Sequence, residues 1–488
     1  MKQLQTALDA GRAVRDKKIG AVELVSECFR SIEENEPTVH AFINFDKDAA
    51  LERAKSVQAD IDSGKLTHPL AGVPFGSKAN ISTKGYETNC ASKILEGYKP
   101  VFDATVAEKL NGIGAVCVGK CNMDEFAMGG STETSRYGVT RNPWDKDRVP
   151  GGSSGGSAVS VAAGEAFYAL GSDTGGSIRQ PCAFCNTTGI KPTYGAVSRY
   201  GLIAYASSLD QIGPIARDVA DCAAVLDVIS GKDPRDMTSA ETALNLDKKP
   251  SVSGLRIGLP REYFAKGLDG EVAEKVRDAA KLFEKFGAEV SEFDFSEKNM
   301  ADYTAAAYYV IACAEASSNL SRYDGIKYGY SAFSEKDNTD LLDNYVNSRS
   351  EGFGMEVKRR IMLGAFVLSS GFYDAYYKKA LRVRDLLREQ WAKVFTDYDI
   401  VLSPVAPTTA YKIGENLDDP LKMILGDMYT VAVNMAGLPS VALPAGFAKG
   451  LPVGMQLIGR HFEENVLISA ASEFQKETDY HTQFPIIK

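Results

Sequence analysis

Histidine is scarce in this 488-residue chain. There are four, His40, His68, His461 and His481, and none lies near either of its two serine-glycine clusters. A serine nucleophile in those clusters therefore needs a different base. Eight cysteines are too few for a disulfide scaffold in a chain of this length and fit a reducing, cytoplasmic setting. No stretch approaches the ~18 uninterrupted apolar residues of a membrane span, and the start, MKQLQTALDAGRAVRD, lacks the apolar core of a signal peptide. Low-complexity linkers and internal repeats are missing as well. A formal net charge of −9 argues against a chain whose main task is gripping nucleic acid. The basic run from Lys358 to Arg388 (Lys358, Arg359, Arg360, Lys378, Lys379, Arg382, Arg384 and Arg388 against Asp374 and Asp385) is expected to be a solvated helix face.

What is present begins with an N-terminal helical region over 1–65. Ala21, Val25, Cys28, Phe29 and Ile32 recur at helical intervals, and a second, polar helix covers 48–62. From about residue 70, β-like runs alternate with helices. GAVCVG (114–119), LRIGL (255–259), DIVLS (399–403) and VGMQLIG (453–459) read as strands; 269–286 reads as a helix stopped by Gly287, and SAVSVAAGEAFYAL (157–170) as a buried helix. This alternation predicts an α/β sandwich. The polar stretch 231–253 is a surface loop, and the chain is expected to be one domain, 1–488.

Three motifs fail on inspection. GAVCVGKC at 114–121 nearly spells a phosphate loop, but Cys121 stands where the magnesium-binding hydroxyl belongs, and an apolar strand runs where the loop must curl. GGSSG at 151–155 satisfies G-x-S-x-G, yet the charged, proline-containing RNPWDKDRVP precedes it where a nucleophile elbow needs a buried strand. That α/β-hydrolase alternative would rely on His461 or His481. Cys117, Cys121, Cys182 and Cys185 have zinc-like spacing, but Cys117 belongs to the apolar run, so no metal is expected.

Chemistry concentrates in GVPFGSKANI (72–81), GGSSGGS (151–157) and DTGGSIRQP (173–181). Gly175 and Gly176 leave their N–H groups unshielded just before Ser177, where they can face the oxygen of a carbonyl under attack. Lys78 lies among Val73, Pro74, Phe75 and Ile81; desolvation lowers a lysine pKa, and a neutral lysine acts as a base. A hydroxyl of the 151–157 loop can relay the proton.

These segments, with the run through DTGGSIRQPCAFCNTTGIKPTYG, strongly resemble the amidase signature family. NMDEFAMGGSTETSRYG (122–138), VSRYGLIAYASSLDQIGPIARDV (197–219), EASSNLSRYDGIKYG (315–329) and EVKRRIMLGAFVLSSGFYDAYYKKA (356–380) are similar to its branch of tRNA-dependent amidotransferase glutaminases. The resemblance implies a single α/β/α sandwich around a mixed central sheet, with the signature core at 70–220. It further implies a Ser–cis-Ser–Lys triad: Ser177 as nucleophile, Ser153 in a cis peptide as relay, and Lys78 as base. Backbone oxyanion donors fall at Thr174, Gly175 and Gly176. Glutamine would be held by Arg359 or Arg360 at its α-carboxylate and by Asp427 at its amine, with Tyr309 as a pocket wall. The expected partners are the B and C subunits of a heterotrimer and misacylated tRNA; no cofactor is expected in this chain, and ATP and Mg²⁺ belong to the partner. A freestanding amidase and an inactive scaffold are the rivals. The family often has Lys-Asp-Asn where this chain has Lys78-Ala79-Asn80, and a small residue and a glycine at Cys182 and Asn186.

Overall fold

The computed structural model describes residues 4–265, 267–295, 300–334, 340–416 and 426–487. Its centre is one eleven-stranded mixed sheet. In chain order the strands are β1 (Phe42–Phe45), β2 (Pro74–Lys78), β3 (Val116–Cys121), β4 (Tyr168–Asp173), β5 (Thr188–Lys191), β6 (Gln211–Ala216), β7 (Arg256–Pro260), β8 (Glu289–Phe293), β9 (Ile400–Pro404), β10 (Ser440–Ala448) and β11 (Leu451–Ile458). In space they run β1-β3-β2-β4-β6-β5-β10-β11-β9-β7-β8. β3 and β4 flank β2, both parallel to it. The antiparallel pairings of β4 with β6 and of β5 with β10 carry the sheet across to its C-terminal strands.

Side chains alternate between the faces of a strand, and here both faces are covered. Tyr168 and Leu170 of β4, Ile212 and Ala216 of β6, and Val441 and Leu443 of β10 join one apolar cluster. Ala169, Ile215 and Ala442 join another. The first packs against helices that include Val219–Ile229, Gly270–Lys285 and Glu464–Glu477; the second packs against Ala21–Val39, Gly155–Ala162 and Arg179–Cys185. A third cluster brings Tyr308, Ile311 and Ala312 of helix Met300–Asn319 and Val357 of helix Met355–Leu368 onto Ala79, Tyr205 and Leu209. Residues beyond 300 thereby reach the ends of the central strands.

The expected N-terminal helices form at Ala21–Val39 and Lys47–Asp62. The helix expected over 269–286 spans Gly270–Lys285, where the Asp269 carboxylate accepts from the N–H groups of Glu271 and Val272 and so starts it. The four expected strands correspond to β3, β7, β9 and β11. The buried helix expected over 157–170 needs correction. It ends at Ala162, because Gly164 at φ +72° turns the chain, and Tyr168–Leu170 belong to β4. A run buried on all sides carries no periodicity to separate helix from strand. Asn186, where the resemblance leads one to expect glycine, sits at φ +59°, a left-handed conformation asparagine tolerates better than most residues.

Candidate active site

Lys78 ends β2 and is fully buried. Its Nζ lies 2.7 Å from Ser153 Oγ, 2.8 Å from Ser154 Oγ, 2.9 Å from Ser172 Oγ and 3.3 Å from the Ser172 carbonyl oxygen. Burial pushes its pKa down to about 7, against the opposing pull of Asp124, Asp173 and Asp210. At neutral pH the amine is thus shared between its two protonation states. The neutral form has a lone pair to accept a serine proton, and the charged form returns it.

The loop that presents Ser153 is gripped from both sides, and its Gly152–Ser153 peptide is cis. Gly152 donates its N–H to Gln180 Oε1 (3.1 Å), and Thr132 Oγ1 donates to the Gly151 carbonyl (2.8 Å). A Cβ at position 152 would fall 2.1 Å from Asp124 Oδ2, so only glycine fits there. Asp124 is itself buried and accepts from the N–H groups of Ser131 (3.2 Å) and Thr132 (2.9 Å) and from Thr134 Oγ1 (2.9 Å). Its carboxylate thereby holds the 131–134 segment, whose Thr132 in turn bonds Gly151 and Gly155, against the Ser153 loop.

Ser177 stands just before helix Arg179–Cys185 and is 7% exposed. Its carbonyl accepts from the Ser154 N–H at 3.1 Å, which ties the two serine segments together. Of the three expected oxyanion donors, Gly176 is engaged within the protein: its N–H donates to Asp173 Oδ1 at 2.8 Å, because that carboxylate folds back to gather the turn. The N–H groups of Thr174 and Gly175 have no hydrogen-bond partner among the described residues.

Adjacent residues on a helix point about 100° apart, and the structure separates the two candidate arginines accordingly. Both pair with Glu356. Arg360 is buried, hydrogen-bonded to the Tyr205 hydroxyl, and lies 5.2 Å from the centre of the Tyr309 ring. Arg359 instead lines a surface cavity of about 710 Å³ with Glu125, Glu133 and Tyr411. Burial raises the Asp427 carboxyl to about 7, and the Arg360 charge is the first influence opposing that rise. Arg360 thus packs on Tyr309 with its charge felt at Asp427, whereas Arg359 faces the surface cavity. The sequence reading missed Tyr308, whose hydroxyl abuts Gly175: a Cβ added there would lie 2.5 Å from it. Helical register brings Tyr308, one residue before Tyr309, to the serine turn, and nothing in the local sequence distinguishes the two.

The rejected motifs have structural explanations. Lys120, in strand β3, is buried and donates to Ser77 Oγ (3.2 Å), Thr83 Oγ1 (2.9 Å) and the Ile81 carbonyl. All eight cysteines are buried and unpaired, and no group of three or more His, Cys, Asp or Glu among the described residues is placed to hold a metal. His461 sits 3.0 Å from the Ala436 carbonyl. No helix among the described residues is long and apolar enough to cross a membrane.

A family model described as amidase matches residues 23–468. Among curated proteins, the A subunit of glutamyl-tRNA(Gln) amidotransferase of Lachnoclostridium phytofermentans is 53% identical over 488 residues, covering 97% of each chain. Among solved structures, the chain is similar to the A subunit of glutamyl-tRNA(Gln) amidotransferase from Thermotoga maritima, with 41% identity, a TM-score of 0.79, and coverage of 96% of this chain and 95% of that one. A bacterial aryl acylamidase of the amidase signature enzymes matches with 25% identity, a TM-score of 0.85, and coverage of 98% and 97%.

Proposed function

This chain belongs to the amidase family, and from that premise we propose that it is the glutaminase component of a tRNA-dependent amidotransferase, the counterpart of the A subunits it matches over nearly its whole length. The observation that carries the reading is the contact of 2.7 Å between Ser153 and a buried Lys78 poised near neutral pH. Ser177 attacks the side-chain amide carbon of glutamine, and its proton passes through Ser153 to Lys78. The tetrahedral oxyanion rests on the open N–H groups of Thr174 and Gly175. As that intermediate collapses, the same relay protonates the departing nitrogen. Ammonia leaves and a glutamyl ester remains on Ser177, until water attacks the ester and frees glutamate. Arg360 holds the α-carboxylate, Asp427 the α-amine, and Tyr309 walls the pocket.

The ammonia is then used by the B subunit, where ATP and Mg²⁺ activate the glutamyl group of misacylated tRNA(Gln), or the aspartyl group of tRNA(Asn); the C subunit completes the heterotrimer. The test compares ammonia release from glutamine and from a panel of other small amides, by the isolated chain and by the assembled complex with ATP and misacylated tRNA. A preference for glutamine that strengthens in the complex supports the reading. Turnover of varied amides by the chain alone, without glutamine preference, gives the freestanding amidase instead.

Two further outcomes follow from the geometry. Neutral Lys78 is the competent base and ionised Asp427 the partner of the α-amine, and both titrate near 7, so kcat/KM for glutamine should rise with pH through about 7 and flatten above it, the rise that persists in Asp427→Asn belonging to Lys78. A profile flat from pH 5.5 to 8.5 would remove Lys78 from the proton path. In addition, Asp427→Asn and Arg360→Lys should each raise KM for glutamine by about 30-fold, the scale of one lost charge-assisted hydrogen bond. Arg359→Lys should change it less than about twofold, since that half-buried side chain faces the surface cavity and its pair with Glu356 is one that lysine can also make.

A further inference from the structure

A buried turn joins the group that receives glutamine to the turn that stabilises its transition state. At one end, Arg360 donates to the Tyr205 hydroxyl and lies 5.5 Å from the centre of the Tyr205 ring. The Tyr205 N–H donates to Asp210 Oδ2 at 2.9 Å, and Thr174 Oγ1 donates to Asp210 Oδ1 at 2.6 Å. One carboxylate therefore bridges the tyrosine that touches the arginine and the residue proposed to offer its N–H to the oxyanion. Tyr205, Asp210, Thr174 and Arg360 are all at most 3% exposed.

The turn is anchored independently of the site. Asn319 Nδ2 donates to the Tyr205 carbonyl (3.1 Å), the Ser208 N–H donates to Glu315 Oε2 (2.8 Å), and the Arg384 guanidinium donates to the hydroxyl (2.8 Å) and carbonyl (2.9 Å) of Ser208. These bonds hold residues 205–210 together as one body, so that a change in the Arg360–Tyr205 bond acts on the Asp210–Thr174 bond with little slack between them. The Tyr308 hydroxyl lies against Gly175, the residue after Thr174.

We propose that Tyr205 and Asp210 are positioning residues that make the oxyanion turn sensitive to occupancy of Arg360, so that recognition of the free α-carboxylate of glutamine is expressed in turnover as well as in binding. The proposal rests on the glutaminase reading and on Arg360 as the carboxylate's partner. Binding energy from a remote part of a substrate raises kcat only when it is realised at the reacting centre, and this strut supplies a physical route for that.

The experiment measures kcat and KM for glutamine, in the complex with the B and C subunits, for the wild type, Tyr205→Phe, Thr174→Val, the double variant and Thr174→Ser. Tyr205→Phe keeps the ring and removes one hydroxyl, and kcat should fall about tenfold, the scale of one buried hydrogen bond, with KM moving less than about twofold. Thr174→Val, which loses only the bond to Asp210, should do the same, and Thr174→Ser, which restores that hydroxyl, should recover most of the loss seen in Thr174→Val. Because both act through one strut, the double variant should be no slower than the slower single variant. The proposal is overturned if Tyr205→Phe raises KM at unchanged kcat, leaves both parameters unchanged, or combines multiplicatively with Thr174→Val. Wild type releasing ammonia from glutamine in any of those cases leaves the glutaminase reading standing. Wild type releasing none, while hydrolysing other amides, overturns both.

Discussion

Ser177→Ala is expected to lower ammonia release from glutamine by about 10⁴-fold or more, the scale seen when the nucleophile of an acyl-transfer triad is removed. Lys78→Arg should be as severe, and it is the more informative change. Arginine preserves a positive charge and hydrogen-bond donors, but its pKa, above about 12, denies it the neutral form a base requires. The Lys78 site is closed by Ser153, Ser154 and Ser172 within 2.9 Å, so no bulk water is positioned to take over the role. Since the residues act as one unit, Ser177→Ala combined with Lys78→Arg should lose little beyond the worse single variant. In the assembled complex, both variants should fail to amidate tRNA with glutamine and recover when ammonium is added, because the partner's chemistry is untouched. His461→Ala should leave release unchanged, as that ring is placed on the Ala436 carbonyl. Substantial turnover by Lys78→Arg would exclude lysine as the base.

The residues of this reaction were legible where chemistry requires a local pattern. Glycines directly before Ser177, the glycine-serine loop around Ser153 and an apolar setting for Lys78 are short-range features. So are the helical spacing of Val25, Cys28, Phe29 and Ile32, and the stop at Gly287. What the chain conceals is long-range. Asp124 lies against Gly152 from 28 positions earlier in the sequence, and its carboxylate reads locally as an ordinary loop acid. The choice between Arg359 and Arg360, or between Tyr308 and Tyr309, depends on the rotation of a helix about its axis, which only packing fixes. β4 was hidden because full burial erases the alternation that marks a half-exposed strand, as in Tyr168–Asp173. One departure is local: the Asp173 carboxylate, three positions before Gly176, turns back to take its N–H, as aspartate does in tight turns.

That same Asp173 leads to the largest expected effect on stability. Arg179 and Asp173 are both fully buried; Nε and Nη2 of the arginine donate to the two carboxylate oxygens at 3.1 Å each. Arg179 also donates to Gln456 Oε1 (2.9 Å), Asn434 Oδ1 (2.5 Å) and the Thr430 carbonyl (3.1 Å). One guanidinium thus joins the end of β4 to β11 and to helix Val431–Ala436. Burial pushes the Asp173 carboxyl upward, but the Arg179 charge and hydrogen bonds outweigh it and hold the group well below the usual carboxylate range. Arg179→Met removes the charge and keeps much of the volume. It should cost about 3–5 kcal/mol, the range for stranding one member of a buried ion pair, read as a lower denaturation midpoint with fluorescence and circular dichroism followed together. The pH dependence distinguishes this cause from simple packing loss. In the wild type the contribution of Asp173 is fully present above the unfolded carboxylate value, about 3.9, and fades only as pH falls below it toward the depressed folded value. In Arg179→Met the carboxyl is raised by burial, so the variant regains stability as pH falls toward about 4. The gap between the two proteins should therefore narrow from pH 7 to pH 4.5. A deficit that stays constant over that interval would mean that lost packing, rather than a stranded carboxylate, sets the cost.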